Sequence, residues 1–410
     1  MSVATPLISA ADMRRRLAVL LLIVFVDLLG FGVLIPLIPF YAERLGLTPQ
    51  WITLVISLHS LMQFVGAPIL GRLSDRFGRR PVLALSMAGH IAAYGLLAFA
   101  DNLTLLVASR LLSGLTSGNL SAAYAYVTDI TPPERRADGL GKVSAAFALG
   151  FALGPALGGW LAGGANPTEA NLAQPAIAAA ALSAISLLGI LLFLPESHRR
   201  DAAARPTGTD AETSTRRALL RDTALALMIL LALMVLCFAA MRESLLALWL
   251  HDRMAADTYD IGVVFTANGI VVAIVQFWFM GRLARRFGAM QTLRAGVVAY
   301  ACSWLGLVLA PNLTWVIVAT GFGAIGTALF GTSLQTLVSM RAVTSNRGAV
   351  MGLYQSNAAL ARFFGAALSG TLYGSLGQNA PFSIGALMMI PALALTFFIA
   401  VELNRGGHRG

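Results

Sequence analysis

Long apolar runs alternate with short polar stretches along the whole chain. About 20 consecutive apolar residues are enough for an α-helix to cross the hydrocarbon core of a bilayer. Each long run therefore predicts one membrane-spanning helix. The predicted spans are 17–41, 51–70, 82–100, 103–128, 140–163, 174–194, 222–250, 261–280, 292–310, 313–338, 349–373 and 381–402. The pattern is typical of an all-α membrane protein with twelve transmembrane helices.

The longest polar stretch, 195–221, separates two sets of six spans. We expect two six-helix bundles, 1–194 and 222–410, joined by this stretch as a cytoplasmic linker. The two halves also resemble each other. The segment 71–78 matches 281–288 at six of eight positions, and a second match pairs Arg136 with Arg347, Gly141 with Gly352, Gly154 with Gly365, and Gly159 with Gly370. Parallel repeats of this kind are typical of transporters that rock two bundles about a midplane site.

Charge fixes the predicted orientation. Only 12% of the residues are charged and 57% are hydrophobic, whereas about 25% of residues are charged in a typical soluble domain. Of the 29 basic residues, 24 fall in the connecting segments and tails that are predicted to lie on one side of the membrane. By the positive-inside rule both termini face the cytoplasm, and the first span is retained rather than cleaved as a signal peptide. Because topology explains the basic residues, we expect no nucleic-acid partner.

The chain lacks the motifs of several enzyme classes. Its two cysteines, Cys237 and Cys302, lie in apolar segments, which predicts neither a disulfide nor a metal pair. There is no Walker loop, no HExxH motif and no loop that could house a nucleophile with its base. We therefore expect no enzyme activity, cofactor or metal, and a transport cycle driven by an ion or substrate gradient.

Several motifs resemble one family. The loop GRLSDRFGRRPVL (71–83) resembles the signature loop of the major facilitator superfamily, and Arg110 in RLLSG resembles its fourth-helix arginine motif. The segment 150–159 is similar to the fifth-helix motif of the antiporters in that family. The stretches 26–39 and 58–83 resemble the tetracycline/proton antiporters and related drug exporters. This resemblance implies the major facilitator fold.

The resemblance also implies roles for two motifs. In the first loop, Asp75 and its arginines would latch the two bundles in one conformation; the alternative is a solvated acid among arginines that serve topology. The residues of this conformational latch are Gly71, Asp75, Arg76, Gly78, Arg79 and Arg80. At the matching position the second copy carries Arg285, which predicts an asymmetric latch.

The fifth-helix motif contains a stripe of small residues at four-residue spacing. Such a stripe lets another helix approach closely. It is either ordinary helix packing or, as the resemblance implies, a seam that limits leak during exchange. The motif residues are Gly150, Gly154, Pro155, Gly158 and Gly159.

Charged residues inside spans are the next candidates, because each costs about 2.5–3.5 kcal/mol on insertion scales. Asp27 is a candidate proton carrier in the first half, and the alternative is a structural ion pair with Arg110. Glu243 and Arg362 form a second possible pair, either a static salt bridge or a coupling site. Arg242 is adjacent to Glu243, so the two side chains point in different directions.

Polar uncharged residues complete the candidate substrate site: His59, Gln63, Asn119, Asn268, Gln335, Gln355 and Asn357. Gln63 matches a glutamine that contacts substrate in the tetracycline exporters. Each of these side chains, like that of His90, could instead make an interhelical hydrogen bond.

The leading hypothesis is a proton-coupled antiporter that exports small amphipathic drugs, such as tetracycline-like compounds, by alternating access. We expect it to act as a monomer in the inner membrane, with a small-molecule substrate, protons and the lipid bilayer as its partners. One alternative is a transporter of a polar or anionic metabolite, favoured if the buried arginines bind a carboxylate or phosphate. A membrane receptor without transport activity is the other.

Overall fold

The computed structural model describes residues 10–117, 119–132, 136–163, 170–197, 222–341 and 347–407. Most of the predicted linker, 198–221, lies outside the described residues. The described part is almost entirely helical. Its helices are α1 (Ala10–Leu34), α2 (Ile38–Arg44), α3 (Pro49–Phe77), α4 (Arg79–Ala98), α5 (Leu103–Leu115), α6 (Asn119–Ile130), α7 (Arg136–Ala162), α8 (Ala173–Phe193), α9 (Thr223–Met254), α10 (Thr258–Ile274), α11 (Met280–Val308), α12 (Leu313–Arg341), α13 (Arg347–Leu376) and α14 (Ala380–Gly407).

These fourteen helices form twelve crossings, because the first span is divided between α1 and α2 and the fourth between α5 and α6. A π-helical segment, Val275–Phe279, joins α10 to α11. The eighth and ninth crossings then meet inside α11 at Gly288, whose φ of 78° breaks the helix. Nine stretches of the described residues are long and apolar enough to cross a membrane, and one of them, Thr258–Val308, holds two crossings. The predicted all-α, twelve-helix membrane fold is confirmed.

The internal repeat is visible in the packing. Gly154 on α7 lies against the backbone of Gly32 on α1, and Gly365 on α13 lies against the backbone of Cys237 on α9. Each glycine thus joins the fifth helix of its half to the first helix of the same half. The sequence match between the two halves therefore marks equivalent places in the two bundles.

The two bundles meet at one end of the molecule. We call it the arginine-poor end, because Arg44 and Arg253 are the only arginines that the sequence places there. There Gly159 on α7 contacts Thr258 at the start of α10. At the same end, the Gly370 N–H on α13 donates to Thr53 Oγ1 on α3 at 3.1 Å. These contacts close the arginine-poor end. The other end, which carries the loop 71–83, is the arginine-rich end.

Candidate transport site

A carboxylate and an imidazole form a buried pair inside the first bundle. Asp27 on α1 is 2% exposed and His90 on α4 is 3% exposed. Asp27 Oδ1 lies 3.0 Å from His90 Nδ1, and His90 Nε2 has no hydrogen-bond partner among the described residues. The fold therefore brings an acid and an imidazole together away from water.

Arg110 supplies a buried cation to the same bundle. It is 2% exposed on α5, and its Nη2 donates to Ser109 Oγ at 3.2 Å. Its Nε has no hydrogen-bond partner within the described part of the chain. One turn later, Gly114 lies against the backbone of α3, since an added Cβ would be 2.9 Å from the His59 carbonyl carbon. This close packing holds the guanidinium inside the bundle.

A hydrogen bond joins the bundles near the middle of the helices. Arg362 Nη2 on α13 donates to Gln63 Oε1 on α3 at 2.9 Å. One turn before Gln63, His59 Nδ1 lies 3.1 Å from Ser113 Oγ on α5. The His59 ring is within electrostatic range of Arg110, His90 and Arg362. Polar groups from both bundles therefore converge on this face of α3.

Aromatic rings lie beside this polar face. The Phe31 ring centroid is 5.3 Å from that of His59 and 6.5 Å from that of Phe151 on α7. Phe147 stacks on Phe151 at 6.1 Å. A flat apolar surface next to Gln63 and His59 suits a compound with an aromatic face and polar edges.

Glu243 and Arg242 diverge, as expected for adjacent residues on α9. The Glu243 side chain is exposed and within electrostatic range of Arg362, whereas Arg242 is 2% exposed. Arg242 Nη1 donates to Ser303 Oγ at 3.1 Å, and its guanidinium lies 6.0 Å from the Tyr300 ring centroid. Arg242 is thus held inside the second bundle, while Glu243 and Arg362 face the same space.

The other candidate substrate residues are dispersed. Asn268 donates to the Thr320 carbonyl at 3.3 Å, and Asn357 donates to the Ile229 carbonyl at 3.0 Å. These amides already bond neighbouring helices. Gln335 and Gln355 are exposed, and the Asn119 side chain lies outside the described residues. The structure therefore brings together His59 and Gln63 from the candidate set, and adds Phe31, Phe151 and His90, which sequence reasoning did not place there.

The segment 71–83 was predicted as a loop, but it is helical on both sides of Gly78, which alone separates α3 from α4. The segment is held within the first bundle. Arg79 Nη1 donates to Asp75 Oδ1 at 2.6 Å, and Arg79 Nε donates to Asp129 Oδ2 on α6 at 3.1 Å. Glu196 accepts from the backbone N–H groups of Arg79 and Arg80, at 2.9 and 3.1 Å. Pro195 and Glu196, at the start of the predicted linker, therefore pack against the first bundle.

The remaining loop residues differ in their surroundings. Gly78 has a φ of 108°, and an added Cβ would lie 2.6 Å from the Glu196 carboxyl carbon. In the second copy Gly288 has a similar φ but nothing within 4 Å of an added Cβ. Gly71 also has open space around it, and Arg76 lies over the exposed Phe77 ring at 5.2 Å. The two copies thus share a turn, but among the described residues an anchoring contact at this glycine is seen in the first copy alone.

The fifth-helix motif forms two close helix contacts. Gly150, Gly154 and Gly158 lie against the backbone of α1. On another face of α7, Gly159 lies against Thr258, and an added Cβ on Gly262 of α10 would be 2.7 Å from the Pro155 carbonyl oxygen. The motif therefore packs α7 both within its own bundle and against the second bundle.

An apolar groove of about 490 Å³ lies between α7 and α10. It is lined on one side by Leu149 and Leu153 and on the other by Ile270, Phe277 and Trp278. Phe277 and Trp278 belong to the π-helical segment and are more than half exposed. Insertions of this kind in a helix are frequent at functional sites.

Comparison with known proteins identifies the family. The Major Facilitator Superfamily model matches residues 20–254, and the MFS_1 like family model matches 170–384. The chain is 29% identical over 398 residues to the class C tetracycline resistance protein of Escherichia coli, covering 93% of this chain and 96% of the relative. It is 31% identical over 354 residues to the class G protein of Vibrio anguillarum, covering 84% and 86%.

A solved structure supports the same assignment. The human organic anion transporter MFSD10 (TETRAN) superimposes with a TM-score of 0.71 and 26% identity, covering 94% of this chain and 99% of that one. This superposition, the matched family models and the tetracycline resistance relatives agree. The chain therefore belongs to the Major Facilitator Superfamily and is a multi-pass membrane transporter.

Proposed function

We propose that this transporter is a proton-coupled antiporter that exports small amphipathic compounds across the inner membrane. The observation that carries the proposal is the buried pair of Asp27 and His90. Burying a carboxylate and an imidazole in an apolar bundle costs folding free energy. Ionisable groups in such places are therefore candidates for a functional role. The relatives that are named tetracycline resistance proteins support a drug as the substrate.

In this proposal Asp27 carries the exchanged proton. Loading from the outside would neutralise the carboxylate, and release to the inside would restore its charge. The imidazole of His90 lies within hydrogen-bond distance of the carboxylate, so in this proposal it can share the proton with Asp27. Arg110 would favour the charged carboxylate whenever rocking of the helices brings it closer.

The substrate would bind where polar and aromatic groups meet. Gln63 and His59 supply hydrogen bonds, while Phe31 and Phe151 supply flat apolar contact. A compound with fused rings and polar edges satisfies both kinds of surface. The bond from Arg362 to Gln63 would be exchanged for a bond to the substrate, which couples binding to both bundles.

The orientation follows from the positive charges. Placing the arginine-rich end and both termini in the cytoplasm satisfies the positive-inside rule. The closed arginine-poor end is then external, so this conformation would receive substrate from the inside. The apolar groove between α7 and α10 suits the approach of compounds that partition into the membrane.

A second candidate is a transporter of organic anions. Arg362 at the bundle interface and Arg110 in the first bundle both lie within electrostatic range of His59, so two cations could hold a carboxylate. The solved relative described as an organic anion transporter favours this substrate class. The two candidates share the fold and the rocking motion but differ in the charge of the cargo.

Transport in energised, inverted membrane vesicles separates these candidates. We expect vesicles that contain the protein to accumulate labelled tetracycline, and to release lumenal protons as they do so. Collapse of the proton gradient should abolish the accumulation, and vesicles from cells without the protein are the control. Uptake of an aromatic carboxylate without tetracycline uptake would favour the anion transporter. Tetracycline uptake that survives collapse of the gradient would contradict proton coupling.

Asp75, near the end of α3, provides a separate prediction. We expect Asp75→Asn to insert normally and to lower transport at least tenfold, because Asp75 would latch the bundles in the other conformation. The Asp75 side chain is 67% exposed and Arg79 keeps its bond to Asp129, so the stability cost should be small. Arg285→Gln at the unanchored second copy is the matched control, with a milder expected loss. Normal transport by a well-expressed Asp75→Asn protein would rule out the latch.

A further inference from the structure

Three metal-binding side chains from the two bundles meet at the arginine-poor end. Glu43 lies near the end of α2 in the first bundle, and His251 and Asp252 lie near the end of α9 in the second. One ligand atom of each residue is within 4.8 Å of the ligand atoms of the other two. Glu43 and His251 are partly buried, and Asp252 is exposed. The cluster therefore lies at the edge of the closed interface, where water and ions can reach it.

Two atoms of this cluster have unmet hydrogen-bonding capacity. Glu43 Oε2 and His251 Nδ1 are buried without a hydrogen-bond partner in the part of the chain that the structure describes. Buried polar atoms in native structures nearly always have a partner, which can be an ordered water or an ion. Each of these two atoms therefore has room for a bond to a water or an ion.

The surroundings hold the other groups in position. The Tyr373 hydroxyl donates to Asp252 Oδ2 at 2.6 Å, which orients that carboxylate. The Phe40 ring meets the His251 imidazole edge-on, with 5.8 Å between the centroids. Hydrogen bonds to metal-binding carboxylates and fixed ring orientations are typical of the second shell of metal sites.

We propose that Glu43, His251 and Asp252 form a regulatory Zn²⁺ site that locks the arginine-poor end closed. One imidazole nitrogen and two carboxylate oxygens are ligands that Zn²⁺ accepts, with a fourth position left for water. Magnesium and calcium prefer all-oxygen sites, so the imidazole favours a transition metal. This site is distinct from the transport site, because it lies at the ends of the helices.

The division of the ligands between the bundles gives the site its effect. Opening the arginine-poor end would separate Glu43 from His251 and Asp252, so only the closed conformation offers all three ligands. An ion that binds one conformation stabilises it by mass action. Zinc bonds of about 2.0–2.2 Å in tetrahedral geometry place two ligand atoms roughly 3.5 Å apart. The three ligand atoms of the cluster already lie within 4.8 Å of one another, so small side-chain adjustments suffice to bind the ion. Bound Zn²⁺ should therefore hold the transporter in its present conformation and inhibit it.

Binding is tested without transport. Isothermal titration of ZnCl₂ into the detergent-purified full chain, with any affinity tag removed, should show one site with micromolar or tighter affinity. Glu43→Gln and His251→Gln should each weaken it at least tenfold, and Asp101→Asn, an acid at the same end but outside the cluster, should not. Each variant is first checked for a monodisperse elution profile. Absence of binding would overturn the proposal. Binding that both cluster variants leave unchanged would also overturn it and would identify an adventitious ion only.

The effect on transport forms the second arm and rests on the proposed function. In proteoliposomes, external Zn²⁺ should lower the transport rate of the original protein at least fivefold, and His251→Gln should remove most of the inhibition. If the protein binds Zn²⁺ as expected but moves no tetracycline, the proposed substrate fails and the metal site stands. If transport proceeds and Zn²⁺ inhibits both proteins equally, the locking role fails.

Discussion

Replacing Gly154 by leucine is expected to abolish transport while leaving the protein in the membrane. An added Cβ at this position would lie 2.6 Å from Gly32 Cα and 2.7 Å from the Leu29 carbonyl oxygen. These are backbone atoms, which cannot move aside as a flexible side chain could. A leucine would force α7 away from α1, and overpacking of this kind typically costs about 1–3 kcal/mol. Because α7 also contacts α10 in the second bundle, the displacement would disturb the interface on which rocking depends.

Transport rate divided by the amount of protein in the membrane measures this effect. Gly141→Leu is the matched control, since Gly141 lies on the same helix with nothing within 4 Å of an added Cβ. We expect Gly141→Leu to retain most of the activity, and Gly154→Ala to fall between the two. Wild-type rates for Gly154→Leu would mean that α7 and α1 do not need this close approach.

The second large effect is expected from Asp27→Asn, which should eliminate accumulation of substrate against its gradient. Asparagine has nearly the same volume as aspartate and can still bond His90, but it does not exchange a proton. Downhill movement of substrate should persist, because the aromatic and polar face near His59 is unchanged. The variant would then separate coupling from binding.

Proton and substrate fluxes in proteoliposomes, recorded together, measure the coupling. Glu243→Gln is the parallel variant, since Glu243 faces Arg362 in the other bundle and is the alternative carrier. Loss of coupling in Asp27→Asn alone assigns the proton to the first bundle. If proton flux per substrate is unaltered in Asp27→Asn, the pair of Asp27 and His90 has no part in coupling.

The sequence was sufficient for the architecture because the bilayer imposes it. Twelve apolar runs, a polar divider and the distribution of arginines each reflect a local requirement for crossing lipid. Small differences arise where a helix continues past the hydrocarbon. The second span was predicted for 51–70, but α3 extends to Phe77, since the polar segment GRLSDRF (71–77) continues the helix.

The candidate site was less accessible to prediction because it depends on which helices face each other. Asp27 stood out as a charge inside a span, yet its partner His90 lies on α4 and carried no sign that it faces α1. Glu43 and His251 are even further apart, in different halves of the chain.

The anchored turn after α3 limits where the chain can be divided into two pieces. Glu196 bonds the N–H groups of Arg79 and Arg80, and Tyr126 donates to the Pro195 carbonyl at 2.8 Å. Residues 195–197 are thus bonded to the first bundle. Separate expression of the two halves, or insertion of a reporter protein between them, should therefore keep Glu196 and Ser197 on the first piece. A cut before Pro195 would remove the carboxylate that caps α4 and loosen the turn on which the loop depends.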